Sequence, residues 1–331
     1  MPEVTFVSGA AWGDLAALAE LYTESFQEYY TAPLGETERM QLIPVSVSRD
    51  DLVRYIQEEQ LDMTCSPVIL VDGEAAGFTQ IGIRSDGNAW CKGFGICPKF
   101  RGAKLGIPLA KEMVRGAKEA GCRGNMTLGC MADNHAAKTY KATGFKVVQK
   151  CVSMVWTPAA GWEQPPSSAA VRSVAPRSVL YSDACQRLHT TQPQWNRQQE
   201  SLREMKELLC LTVMAAGSSG DSEMQAYVIF RSGATDVLAK PGEESMDILD
   251  LGGSLPEKLL LLRELQSRYS MLKVNSEGEH SDAMCSFVEA GFTIANHRLH
   301  MAIDLSGELS EEALTEAVVK MPPAAAVAAR L

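Results

Sequence analysis

Residues 98–108 read PKFRGAKLGIP and place Arg101, Gly102, Ala103, Lys104, Leu105 and Gly106 between an apolar strand pattern and the start of an amphipathic helix. A basic, glycine-punctuated strand-to-helix turn offers an anion successive backbone N–H groups and the positive end of a helix. Neither GxxxxGK followed by Ser or Thr nor GxGxxG occurs there, so the turn is not a nucleotide P-loop or a dinucleotide fingerprint. Further on, MADNHAAKTYKATGF carries Asn134, Tyr140 and the pair Gly144-Phe145.

Other reactive side chains are less organised. Nine cysteines are scattered with no CxxC pair, an odd count that fits reduced thiols in the cytosol. The five histidines form no HxxxH or HExxH pattern, so no metal site is expected. Net charge is −10, which argues against nucleic acid as a partner. Its distribution is uneven. Residues 1–91 hold fifteen Asp and Glu against four Arg, whereas residues 92–150 hold twelve Lys and Arg against three acids. An acidic surface beside a basic one suits a polyanionic ligand meeting a cationic one.

The elements that must position these residues follow from apolar periodicity. Residues 4–8 alternate as a strand, 13–30 read as a helix, and 48–59 read as a second helix opened by Ser48 and acids in the first turn. Strands flank Asp72-Gly73 and follow Asp86-Gly87. After the basic turn come a strong amphipathic helix, a strand at 125–132, a short helix around Tyr140 and a strand at 145–156. The order predicts a mixed α/β fold around a twisted, largely antiparallel sheet flanked by helices. Pro, Ala and Ser dominate 157–178, which reads as a linker. Beyond it the pattern repeats: 140–156 aligns with 287–303, setting Gly144-Phe145 on Gly291-Phe292, Met154 on Met301 and Tyr140 on Phe287. The expected organisation is a domain at 1–158, a linker at 159–178, a second copy at 179–310 and a C-terminal helix or tail at 311–331. No apolar run is long enough to span a bilayer, and the first residues lack a basic segment followed by an apolar one. A cytoplasmic protein with no membrane partner is expected.

The paired blocks give the first copy a family resemblance. Pro98, Arg101, Gly102 and Gly106, followed by Asn134, Ala136, Tyr140, Gly144 and Phe145, resemble the two motifs of the GNAT superfamily of N-acetyltransferases, with Lys104 where the family has its middle glycine. The likeness spans residues 4–156 and implies tandem GNAT domains. It also implies acetyl-CoA as co-substrate, with no metal. Backbone groups of Ile96 and Cys97 would pair with the pantetheine arm, amides from Arg101 through Gly102, Ala103, Lys104 and Leu105 to Gly106 would cradle the pyrophosphate, and Asn134 would contact the cofactor. Tyr140 would act as general acid, since a phenol of ordinary pKa about 10 can protonate a leaving thiolate. An N–H at 96 or 97 would hold the carbonyl oxygen.

The acceptor side stays open. Glu24, Glu28, Glu36, Glu38 and Asp133 are candidate bases, and 27–44 would build a pocket for a small-molecule amine. An acetyl-cysteine route through Cys97 lacks a His-Asp partner. The second copy has Asp247 and Asp250 before its glycines, no basic residue in its loop, and an excess of acids, so it is expected to be a degenerate GNAT domain without coenzyme A. The expected function is direct acetyl transfer to a small amine. The alternatives are a longer acyl group, a protein amine, or a sensor or scaffold that binds acyl-CoA without turnover.

Overall fold

A computed structural model describes residues 2–31, 46–189, 194–215, 224–233 and 245–307. The described residues fall into two compact units, the first holding those of 2–31, 46–148 and 299–307 and the second those of 149–298. Residues 32–44 of the expected acceptor segment at 27–44, and the C-terminal tail at 311–331, lie outside the described residues.

In the first unit, β1 (Val4–Ser8) leads into the single turn α1 (Gly9–Trp12) and then α2 (Leu15–Thr31). One helix was expected over 13–30. The break before it arises because Gly13 is fully extended and Asp14 Oδ1 accepts the amides of Ala16 and Ala17, which starts a new helix. A reciprocal cap starts α3 (Arg49–Glu58): Ser48 Oγ accepts from Asp51 N–H and the Asp51 carboxylate accepts from Ser48 N–H. Antiparallel strands β2 (Pro67–Val71), β3 (Glu74–Ile83) and β4 (Ala89–Ile96) follow, with β1 on the far side of β2. Then come α4 (Gly106–Glu119), β5 (Asn125–Met131), parallel to β4, and α5 (Ala136–Ala142). Leu109, Met113 and Ala117 of α4 are all fully buried, as the helical spacing predicts.

The second unit has a mostly antiparallel sheet in the order β6-β11-β10-β9-β8-β7. Its strands are β6 (Lys146–Trp156), β7 (Val171–Ser173), β8 (Leu209–Met214), β9 (Met224–Ser232), β10 (Ser245–Gly253) and β11 (Met271–Gly278). Helices α6 (Pro176–Leu180), α7 (Ala184–Arg187) and α8 (Gln199–Glu204) precede β8, α9 (Leu255–Arg268) follows β10, and α10 (Met284–Glu289) follows β11. The last strand is β12 (Thr293–Asp304). The end of the expected linker is not a linker: β7 pairs with β8, and Val171 packs on the core of this unit.

A single cut at 158 does not separate the units. Residues 149–156 of β6, expected to close the first domain, belong to the second unit and pair with β11 from Leu272↔Trp156 to Gly278↔Cys151. Residues 299–304 of β12 belong to the first unit, whose core contains Met301 and Leu305. The Leu305 amide donates to Gly124 C=O at 2.8 Å. His300 on this strand is held neutral down to about 4 by burial, and its Nε2 has no partner. The unfolded chain protonates this ring near its ordinary value, so its contribution is lost as pH falls from there through about 4. Acidification over that window is expected to cost up to about 3 kcal/mol through His300 alone. His300→Phe should flatten that part of the stability profile in urea denaturation at pH 4 and 7.

Candidate active site

The site starts where two strands part. β4 and β5 pair only from Ala89↔Met126 to Cys91↔Leu128, yet β4 runs on to Ile96 and β5 to Met131. The separation begins at a bulge. Against β3, Gln80 faces Gly93 and Ile81 faces Cys91, which leaves Lys92 as the extra residue on β4.

Past the bulge, β4 still bonds to β3 on one side. Cys97 N–H donates to Ala76 C=O at 2.9 Å, and Cys97 C=O accepts from Phe100 N–H. Antiparallel pairs alternate, so Ile96 opposite Gly77 and Phe94 opposite Thr79 are non-bonded pairs whose amides face the wedge. Neither amide has a partner among the described residues. This corrects the expectation for Cys97, whose backbone is spent inside the fold. Ile96 keeps its N–H for a ligand, and Phe94 joins it.

The basic turn lies at the mouth. A 3-10 turn at Pro98–Phe100 leads to Arg101, Gly102 sits at φ +81°, and Lys104 at φ +60°. Helix α4 begins with no side-chain cap. The amides of Gly102, Lys104, Leu105, Gly106 and Ile107 have no acceptor among the described residues, whereas Ala103 N–H donates to Phe100 C=O at 3.3 Å. Five free donors around a helix N-terminus fit a pyrophosphate. Gly106 has a packing role as well: a Cβ there would lie 3.3 Å from Thr139 of α5.

Two expected contacts do other work. The Arg101 amide, expected in the cradle, donates to Pro98 C=O at 3.1 Å, and its guanidinium donates to Ile96 C=O at 3.2 Å and to Ser25 C=O at 2.9 Å, tying the turn to β4 and α2. Asn134 Oδ1 accepts the amide of Ala136 at 2.9 Å and so begins α5. Lys104 carries its Cβ in the left-handed region, which costs about 1 kcal/mol relative to glycine. Lys104→Gly is therefore expected to raise stability by about 1 kcal/mol in denaturant melts while weakening coenzyme A binding severalfold, because a cation leaves the cradle.

Tyr140 stands at the inner end of the wedge. Its ring meets Phe94 and Phe145 edge to face at 5.3 and 5.9 Å. Burial, and after it the neighbouring Cys91 and Cys130, hold its hydroxyl well above the usual phenol range, so it stays protonated. The hydroxyl has no hydrogen-bond partner among the described residues. Burial also raises the Cys97 thiol, which lies 3.5 Å from Ser25 Oγ with no histidine in contact, and this disfavours a covalent cysteine route.

Beside the β4 bulge lies a buried carboxylate that sequence reasoning did not single out. Glu59, at the C-terminal cap of α3, is 5 % exposed. One of its oxygens pairs with Lys92 of the bulge, and Oε2 is buried without a hydrogen bond. The Lys92 ammonium also lies 4.7 Å from the Tyr55 ring centroid. Tyr22 is buried beside this group, and burial, then Tyr55 and Glu59, raise its pKa. A Glu-Glu pair ending a helix gave no signal, because the pairing that selects Glu59 crosses from α3 to β4. Of the expected bases, Glu24 and Asp133 are exposed, and the side chains of Glu28, Glu36 and Glu38 lie outside the described residues.

The second unit repeats the wedge without the cradle. β10 and β11 run parallel from Ser245↔Met271 to Ile248↔Val274 and then stop pairing, and Leu249 is bulged against β9. Asp250 is not a loop residue. It is buried on β10, accepting from Tyr227 Oη at 2.7 Å and Leu251 N–H at 3.1 Å, with the His189 ring at 2.7 Å. The N-terminus of α9 faces its own Glu257, which accepts from Ser254 Oγ. A carboxylate in that place takes the favourable position an anion would need.

A sheet that parts beside a glycine turn rich in free amides, with a buried tyrosine next to it, is the geometry that the comparisons with known proteins bear on. The model of the acetyltransferase (GNAT) family matches residues 15–145, and this segment is a GNAT acetyltransferase domain. The whole chain has the fold of tandem GNAT proteins. It superposes on a tandem GNAT protein from the clavulanic acid biosynthesis pathway with a TM-score of 0.61 at 14% identity, covering 93% of this chain and 100% of that one. A GCN5-related N-acetyltransferase from Sphaerobacter thermophilus gives 0.58 at 16% identity over 92% and 97%. The N-myristoyltransferase of Saccharomyces cerevisiae, solved with myristoyl-CoA, gives 0.58 at 8% over 91% and 78%. Among curated proteins, none matches the chain by sequence. Among the described residues no helix is long and apolar enough to cross a membrane, and no cluster of side chains could hold a metal.

Proposed function

We propose that the first unit transfers an acetyl group from acetyl-CoA to a small-molecule amine. The observation that carries the reading is the set of unpartnered donors along one path: five turn amides, the amides of Ile96 and Phe94, and the Tyr140 hydroxyl. Acetyl-CoA, when bound, supplies an activated acyl carbon and a thiolate leaving group. Gly102, Lys104, Leu105, Gly106 and Ile107 hold phosphate oxygens through their N–H groups. The Ile96 or Phe94 amide donates to the carbonyl oxygen, where negative charge grows. Tyr140 donates its proton to sulfur. Glu59 takes the proton that the attacking amine gives up, directly or through a water.

The ring cluster of Phe94, Tyr140 and Phe145 at the inner end of the wedge supports a short acyl group over a long one. The excess of acids over residues 1–91, with Glu59 beside Tyr55, supports a cationic acceptor. Thiol release from acetyl-, butyryl- and myristoyl-CoA against a panel of polyamines, amino sugars, arylamines and lysine peptides tests the reading. Release with acetyl-CoA and a small amine is expected. Preference for the long chain or for peptides overturns that part, and saturable binding without turnover on any acceptor would make the unit a binding module.

A further inference from the structure

The second unit has a wedge of the same construction, and its own chain fills it. Aligning the bulged residues of the two copies, Lys92 on Leu249, sets Gly253 on Ile96. The parity agrees: Gly253 lies opposite Ala226 as Ile96 lies opposite Gly77, and the amide of Gly253 also points away from the neighbouring antiparallel strand. In the first unit that N–H has no partner. In the second it donates to Leu188 C=O at 3.1 Å.

The other contact is a cation. Arg197, in the 3-10 turn Trp195–Arg197, is fully buried among the strands that part. Its Nε donates to Leu249 C=O on β10 at 2.7 Å, and its Nη1 lies 3.5 Å from Asn275 C=O on β11. Nη2 pairs with Glu277 of β11 at 2.7 Å. One guanidinium thus bridges both strands just past their last paired residues, Ile248 and Val274. A peptide carbonyl for Gly253 and planar N–H donors for Leu249 and Asn275 are the groups that the amides of a pantetheine arm would present. β11 bends to receive them: its register against β6 shifts between Val274 and Glu277, and Ser276 there has φ +58°.

We infer that the second unit is an acyl-CoA fold whose pantetheine slot is occupied by its own chain at Leu188 and Arg197, so that the protein binds one coenzyme A per chain. The inference rests on reading the first unit's wedge as the acyl-CoA slot. Loss of the basic turn removes affinity for the phosphates, but an internal ligand removes the slot itself. Restoring basic residues near Gly252 would not restore binding. The buried Arg197–Glu277 pair then serves to hold two diverging strands together where a cofactor would otherwise do so.

Amide hydrogen exchange on the full chain, with and without saturating coenzyme A, tests this. In the free protein Gly253 is expected to exchange at least tenfold more slowly than Ile96, its counterpart. Equal or faster exchange at Gly253 overturns the self-occupied slot whether or not any cofactor binds. On adding coenzyme A, slowing is expected across 94–107 and not across 249–254 or 275–278. Slowing in the second set overturns the inference, as does a calorimetric stoichiometry of two. An absence of slowing at 94–107 would instead sink the acyl-CoA reading of the first unit, and the free-protein comparison would still decide the second.

Discussion

Tyr140→Phe is expected to lower kcat by about 10²–10⁴-fold and to leave coenzyme A affinity nearly unchanged. The substitution removes one oxygen and keeps the ring. Contacts with Phe94 and Phe145 persist, so the fold and the wall of the wedge are kept. What is lost is a protonated donor at the end of the wedge, which burial keeps in its acid form throughout the working range. Without it the thiolate leaves unprotonated, and the cost falls on the step in which the carbon–sulfur bond breaks. Steady-state thiol release together with calorimetric binding separates the two effects. Unchanged kcat removes Tyr140 from the reaction, and a large loss of affinity with normal kcat makes it a binding residue.

Glu59→Gln should cost roughly 10²-fold in kcat at neutral pH. Glutamine matches the carboxylate in size and can still accept a hydrogen bond from Lys92, so packing at the bulge survives. Proton acceptance does not. The defect should shrink as pH rises, because an acceptor amine that is already neutral needs no base. A uniform loss across pH would assign Glu59 to holding Lys92 and the bulge, and no loss would return the search for a base to Glu24 or to residues between α2 and α3.

Much of the site was legible because its parts are local in sequence. A cradle of amides needs only a strand end, a turn that reaches positive φ, and a helix start, and Pro98 to Pro108 encodes all three. Tyr140, Gly144 and Phe145 were legible for the same reason: a short helix with a glycine terminus fixes their mutual geometry. Side-chain assignments that depended on partners elsewhere fared differently. The Arg101 amide was expected in the phosphate cradle, but Pro98 C=O takes it, and the carbonyls of Ile96 and Ser25 hold the guanidinium. Asn134 looked like a cofactor contact and begins a helix. Cys97 and Ile96 are adjacent, and only the parity of the β3–β4 pairing sends one amide inward to the sheet and the other to the wedge.

Amino-acid order alone established two copies of one α/β domain and placed the single basic turn in the first of them. These are matters of composition and short-range period, which each segment carries within itself. It did not establish which copy owns each last strand, nor what fills the second wedge. Met154 and Met301 occupy aligned positions on β6 and β12, both fully buried, yet Met154 lies in the core of the second unit and Met301 in that of the first. Both strands carry the same apolar alternation, so local pattern cannot choose between two sheets that each would accept. Backbone pairing and core fit over more than a hundred residues of separation make that choice. The same long-range pairing brings Leu188 and Arg197 to β10 and β11.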